Sequence, residues 1–183
     1  TRRVVPADWV EWSIVKEGEE DPDARRSDWQ RLGVDVAAGG GDEMVVAWAD
    51  GFRISIPDGA VWSGVEAIDQ VENAERVLDW IRAAEARQEQ RGYRENPVRV
   101  KIDSNGIGAG TADILERMGD DGMHGADIVR VNPGEAASEP DRFVNRRAEM
   151  WWTLRELCRD HVAQLVITER EKKQIQAPTY TDH

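Results

Sequence analysis

The sequence predicts a mixed α/β domain, with an antiparallel strand meander running into alternating helices and parallel strands, and helices on the faces of the sheet. Three observations carry this. Residues 31–56 hold three short runs with period-two alternation, separated by glycine turns. Residues 64–91 repeat apolar side chains at helical spacing. Two further β-branched runs then alternate with helical segments up to residue 160.

In chain order, Pro6-Ala7-Asp8 starts a short helix with Trp9, Val10 and Trp12, and Asp8 sits near its positive end. The charged stretch from Glu17 to Asp28 has no periodicity, so residues 1–30 read as a linker that docks through its tryptophans and adds nothing to the core. In residues 31–38, Leu32, Val34 and Val36 face one way, and Gly33 and Asp35 the other. Gly39-Gly40-Gly41 turns the chain into a second strand over 43–50. Asp50-Gly51 turns it again into a third over 52–56. The helix over 64–91 buries Val65, Ile68, Val71, Ala74, Val77, Leu78, Ile81 and Ala84, and Asn96-Pro97 follows it. Val98, Val100 and Ile102 form a strand that ends at Asp103. A glycine-rich loop follows over 104–110, and Thr111 is expected to cap the next helix, to about Met118. A strand over 128–131, a loop, and a helix over 142–160 come next. That helix turns Val144, Ala148, Trp151, Leu154 and Cys158 inward. A last strand falls at 164–168, and the tail after Glu169 is polar.

At 183 residues the chain has the size of one domain with a proper core. It is 40% hydrophobic and 33% charged, a globular composition. No apolar run approaches the ~20 residues of a membrane span. Cys158 is the single cysteine, which excludes an internal disulfide and a cysteine zinc cluster. Its ordinary role is a small core residue on a helix. Acidic residues outnumber basic ones 36 to 24, for a net charge of −12 and a pI near 4.7. By itself that balance speaks against a nucleic-acid or anionic-membrane partner.

Chemistry concentrates on two strands. Asp35 sits mid-strand and faces away from the apolar side, and Asp103 closes a parallel strand, at the edge where open α/β sheets place their sites. On adjacent strands the two carboxylates would converge and repel, and a divalent cation relieves that repulsion. Asp42 follows the glycine turn and either curls back towards Asp35 or is an ordinary turn residue. Gly106 and Gly108 lie in a strand–loop–helix setting, but a dinucleotide fingerprint fails because Thr111 stands where its third glycine belongs. The loop is expected to let backbone approach a ligand closely. No phosphate-binding GxxxxGK[ST] is present. Arg142, Arg146 and Arg147 either meet phosphates or belong to a solvated helix face with Glu149 and Glu156. His124, His161 and His183 show no ligand spacing.

Four segments in order resemble the nuclease domain of phage terminase large subunits. They are Gly33-Val34-Asp35-Val36-Ala37 with Gly39–Asp42, Ile102-Asp103-Ser104-Asn105-Gly106-Ile107-Gly108-Ala109-Gly110, Val131-Asn132 with Phe143–Trp151, and Val5-Pro6 with Asp8-Trp9-Val10. The resemblance implies an RNase H-like fold over residues 31–183, with residues 1–30 joining it to a motor domain. It implies an endonuclease that cuts concatemeric double-stranded viral DNA in the cytoplasm of an infected bacterium. Its partners would be the ATPase motor of the same polypeptide, a small terminase subunit and a portal. Asp35 and Asp103 match the family's first two metal-binding carboxylates, and Asp42 matches a further acid of the first motif. Two Mg²⁺ or Mn²⁺ ions, ~3.5–4 Å apart in such sites, would straddle the scissile phosphate, with Asp35 bridging both. The DNA contacts would fall to Arg142, Arg146 and Arg147 and to the loop at Gly106 and Gly108.

The family's third catalytic aspartate lies in a Ser-Pro-Asp-type motif, and Asp182 does not match it. The chain is therefore expected to be cut short, to cleave weakly, and to bind DNA weakly by itself. The competing readings are another RNase H-like nuclease such as a junction resolvase, a non-catalytic nucleotide-binding module, and a scaffold domain with surface acids.

Overall fold

A computed structural model describes residues 2–16, 18, 30–36, 43–63, 69–93 and 95–180. The chain divides into two compact units. One comprises Arg26–Gly51 and Ile56–Asn132, and the other Thr1–Arg25, Phe52–Ser55 and Pro133–His183.

The unit from Arg26 to Asn132 is built on strands β2 (Gln30–Asp35), β3 (Glu43–Asp50), β5 (Val61–Ser63), β6 (Arg99–Asp103) and β7 (Asp127–Val131). β2 lies between β3, antiparallel, and β6, parallel. β7 extends the parallel side, and β5 pairs antiparallel with β3. The alternation read from the sequence sets the faces: Leu32, Val34, Met44, Val46, Trp62, Val100 and Ile102 are buried on one side. Against that side pack α2 (Gln70–Gln90) and α3 (Ile107–Asp120) through Ala74, Val77, Ile81, Ala84, Ala112 and Leu115. Asp69 caps α2 by accepting from the amides of Val71 and Glu72. Polar groups inside this core are paired. Trp62 donates its indole N–H to Asn73 at 2.8 Å, and Trp48 donates to Gln30, whose own amide donates to Gln88.

The other unit holds β1 (Arg2–Arg3), α1 (Ala7–Ser13), β4 (Arg53–Ser55), α4 (Arg146–Arg159), β8 (Gln164–Val166), α5 (Glu169–Gln176) and β9 (Thr179–Tyr180). β4 and β8 pair in parallel, and β1 pairs antiparallel with β9. Val4, Val5 and Val10 are buried with Cys158, Ala163 and Leu165. The opening segment therefore contributes to a core, where the sequence suggested only surface docking. Each such aliphatic burial stabilises by ~1.5–3 kcal/mol. Arg155 ties the segment down: it donates to the Val4 carbonyl at 2.6 Å and lies over the rings of Trp9 and Trp152.

The fold class holds: a mixed sheet with antiparallel and parallel pairing, and five helices among the described residues. Several local expectations do not. β5 went unforeseen, and of the helix expected from 64, the described part begins at Gln70; residues 64–68, with Val65 and Ile68, lie outside the described residues. Val71 is exposed in the first turn of α2, before the packed stripe begins. Thr111 is no cap, because α3 starts at Ile107 behind Gly106 and buries Thr111 in its interior. Val144 is fully solvated because Asn145, accepting from the Ala148 amide, starts α4 only after it. The polar tail carries α5 and β9. A capping box between Thr168 and Glu171 starts α5.

Candidate metal site

β2 and β6 run side by side in parallel with Val34 opposite Ile102. One step further in the same register stands Asp35 beside Asp103, the last residue of each strand. Neighbouring strands are ~4.8 Å apart, and in-register residues of parallel strands share a face. Val34 and Ile102 point into the core, so both carboxylates point away from it. Asp35 is exposed and Asp103 half-buried. Asp35 thus sits at the end of its strand, where the sequence placed it mid-strand.

The loop after β6 orients Asp103. The Asn105 amide donates to Asp103 Oδ1 at 2.9 Å, and the Ser104 amide donates to the Val131 carbonyl on β7. Gly106 then adopts φ of +58°, and α3 begins. Gly108 is buried in its first turn, where a Cβ would lie 1.9 Å from the Asp103 carbonyl oxygen and 3.4 Å from Val36 Cβ. The missing side chain of Gly108 is what lets the helix close against the strand that carries Asp103. Gly106 is exposed beside it.

Two carboxylates in this setting offer an oxygen-only donor set, which suits Mg²⁺ or Mn²⁺ better than zinc. Asp103 uses one oxygen on its own loop and keeps the lone pairs of the other for a ligand. Among the described residues no third His, Cys, Asp or Glu joins the pair to complete a metal-binding group. Asp42 and the glycine turn before it lie outside the described residues.

One side chain on this face escaped notice in the sequence. Lys101 stands two residues before Asp103, in register with Gly33. It is exposed, and its side chain has no ion pair or hydrogen bond with any described residue. The signal was present: the alternation Val100-Lys101-Ile102-Asp103 puts Lys101 and Asp103 on one face.

No family model and no curated protein matches the chain. Solved structures do. Three structures of the nuclease domain of the large terminase subunit gp2 of bacterial virus Sf6 align with it at TM-scores of 0.57, 0.58 and 0.59. Sequence identities are 17%, 18% and 16%, and each alignment covers 96% of this chain and 80% of the other. The chain has the terminase-nuclease fold. One of those structures contains manganese and beta-thujaplicinol, and another contains calcium.

Within this terminase-nuclease fold the three arginines singled out by the sequence belong to the unit that does not hold the carboxylates. Arg142 pairs with Glu139 at 2.7 Å and lies over Phe143, in the loop before α4. Arg146 pairs with Glu135 at 3.2 Å, while Arg147 is exposed. Glu149 accepts from the Ser138 hydroxyl and amide, which hold its carboxyl below the usual carboxylate range. His124 is buried between the Leu115 carbonyl and the Ala126 amide, a satisfied core histidine.

Proposed function

We propose that this chain is the nuclease domain of a viral DNA-packaging terminase, a metal-dependent endonuclease that cuts concatemeric double-stranded DNA. The observation that carries the reading is the side-by-side placement of Asp35 and Asp103 at the ends of two parallel strands, in a fold shared with a phage terminase nuclease domain. Manganese and calcium in those structures support a divalent cation here.

Asp35 and Asp103 would hold the cation through oxygen, Asp35 from a strand flanked on both sides and Asp103 with its carboxylate set by the Asn105 amide. When bound, Mg²⁺ or Mn²⁺ supplies charge neutralisation at the scissile phosphate and acidification of the attacking water. Asp42 adds a further acid from the first motif. The described residues supply only two carboxylates, too few for two ions, so weak cleavage by this chain alone is expected. The loop at Gly106 and Gly108 would meet the DNA backbone; of the three arginines Arg147 is exposed for phosphate, while Arg142 and Arg146 are engaged by Glu139 and Glu135. Residues 1–30 connect the nuclease to an ATPase motor of the same polypeptide, which acts with a small terminase subunit and a portal in the cytoplasm of the infected host. Among the described residues no helix is long and apolar enough to cross a membrane.

The direct test is cleavage of supercoiled plasmid in Mg²⁺ or Mn²⁺. Asp35→Ala and Asp103→Ala should each abolish it. Cleavage at the wild-type rate in either variant removes the assignment.

A further inference from the structure

We propose that Lys101 is a phosphate-contact residue that couples DNA binding to cation binding at the Asp35–Asp103 pair. The inference rests on the metal-site reading for its reaction, but the contact with phosphate can be tested apart from it.

The placement is specific. Lys101 and Asp103 share a face of β6 at a separation of two residues, about 6.6 Å along the strand. Gly33, opposite Lys101 in the register, has no side chain and nothing within 4 Å of where a Cβ would stand. The ammonium therefore has open space beside the two carboxylates. It nevertheless forms no ion pair with any described residue. Several other cations of the same unit behave differently. Arg130 is held by Glu116 and Asp113, Arg91 by Asp50 and Arg99 by Asp127, all in the same unit.

An unpaired ammonium next to a divalent-cation site is unfavourable on its own, because like charges repel. It becomes favourable when a polyanion spans both. A DNA strand with its scissile phosphate at the carboxylates brings a neighbouring phosphate to the flank where Lys101 stands. Lys101 thus weakens cation binding to the empty protein, and a DNA phosphate paired with it relieves that repulsion, so cation and DNA bind cooperatively. In a chain of net charge −12 such a placed cation contributes local attraction that the overall charge does not.

The experiment uses the full chain as wild type, Lys101→Gln and Lys101→Arg. Calorimetry with MnCl₂ alone reads cation affinity, and fluorescence anisotropy of a short duplex in Ca²⁺, over a range of salt, reads DNA binding. Lys101→Gln should tighten Mn²⁺ binding without DNA by ~3-fold, the screened repulsion of a unit charge on a divalent ion at about 7 Å. It should also flatten the slope of log K against log salt by about 0.9, the value of one phosphate contact. Lys101→Arg keeps the charge and should retain wild-type values in both. A Lys101→Gln slope equal to wild type overturns the proposal, as does absence of DNA binding by the wild-type chain even at low salt. A slope defect in a chain that binds no Mn²⁺ removes the metal-site reading and leaves the phosphate contact standing.

Discussion

Replacing Asp103 by asparagine should make the metal-free protein more stable and take away its stabilisation by Mn²⁺. Asparagine keeps an Oδ1 that accepts from the Asn105 amide, so the loop after β6 is preserved while the charge beside Asp35 is lost. The two carboxylates stand on strands ~4.8 Å apart. Two unit charges about 5 Å apart repel by ~0.8 kcal/mol in water and more in a poorer dielectric. Asp35 is exposed and Asp103 half-buried, so the water value is the appropriate one, and a gain of ~0.5–1 kcal/mol is expected. For a chain of this size that is about 1–4 °C in Tm.

Thermal melts in EDTA at low salt measure the gain. Melts at ~1 M salt, where the Debye length falls to about 3 Å, should reduce it. With Mn²⁺ at about a hundred times its Kd the wild type should gain ~2.7 kcal/mol, and the variant little. Asp103→Ala serves as the control, because it removes both the charge and the loop acceptor and should lose much of the gain. A Tm for Asp103→Asn below wild type in EDTA, together with an undiminished Mn²⁺ shift, would refute both the repulsion and the metal site.

Gly108→Ala should destabilise by at least ~1–3 kcal/mol, since its Cβ would lie 1.9 Å from the Asp103 carbonyl; it should also weaken Mn²⁺ binding by displacing Asp103, checked by melts with and without the ion. Burial pushes the Cys158 thiol up, against a smaller opposing effect of a hydrogen bond with Ser13. A raised acid keeps its proton in the folded state after the unfolded chain has lost it, so stability should fall as pH rises above the unfolded value of ~8.5. Cys158→Ala should lessen that alkaline loss in melts from pH 7 to 10, and native Cys158 should resist thiol reagents until the chain unfolds.

The parts of the fold legible in the sequence are those where one face is buried and the other is not. Leu32/Val34 and Val100/Ile102 alternate cleanly, and their strands form as expected, although β2 ends at Asp35, three residues before the expected end. The same alternation placed Asp35 and Asp103 opposite the core, and parallel pairing, a tertiary fact, then set them side by side. The start of α3 was illegible because it depends on a contact. Glycines at 106, 108 and 110 read as loop, yet 108 and 110 are helical, with Gly108 against the Asp103 carbonyl and Gly110 against the Gln70 side chain. β5 is three residues long and has no periodicity of its own; its pairing with β3 creates it. α5, by contrast, was readable, since Thr168-x-x-Glu171 is a capping-box pattern that outweighs the polarity of the residues after it. Tryptophans hold both units through polar contacts: Trp48 and Trp62 place indole N–H groups on buried amides, and Arg155 lies over the rings of Trp9 and Trp152.

The excess of acid bears on how the proposed nuclease is controlled. Many of the cations that might have formed a DNA track are engaged inside the protein: Arg76 with Glu72, Arg91 with Asp50, Arg130 with Glu116, Arg142 with Glu139, Arg146 with Glu135 and Lys172 with Glu11. Exposed pairs of this kind add little stability, but each carboxylate offsets the attraction its cation offers to phosphate. What remains is local: the proposed carboxylate pair, and a lysine two residues from Asp103 whose side chain pairs with no described residue. DNA arriving by diffusion meets a repulsive surface at net charge −12. DNA delivered by a tethered motor does not depend on that encounter, because the tether supplies the effective concentration. On the proposed reading, a nuclease arranged this way would cut what is fed to it and spare what drifts past, and its acidity would then act as a restraint on cleavage and not as evidence against a nucleic-acid substrate.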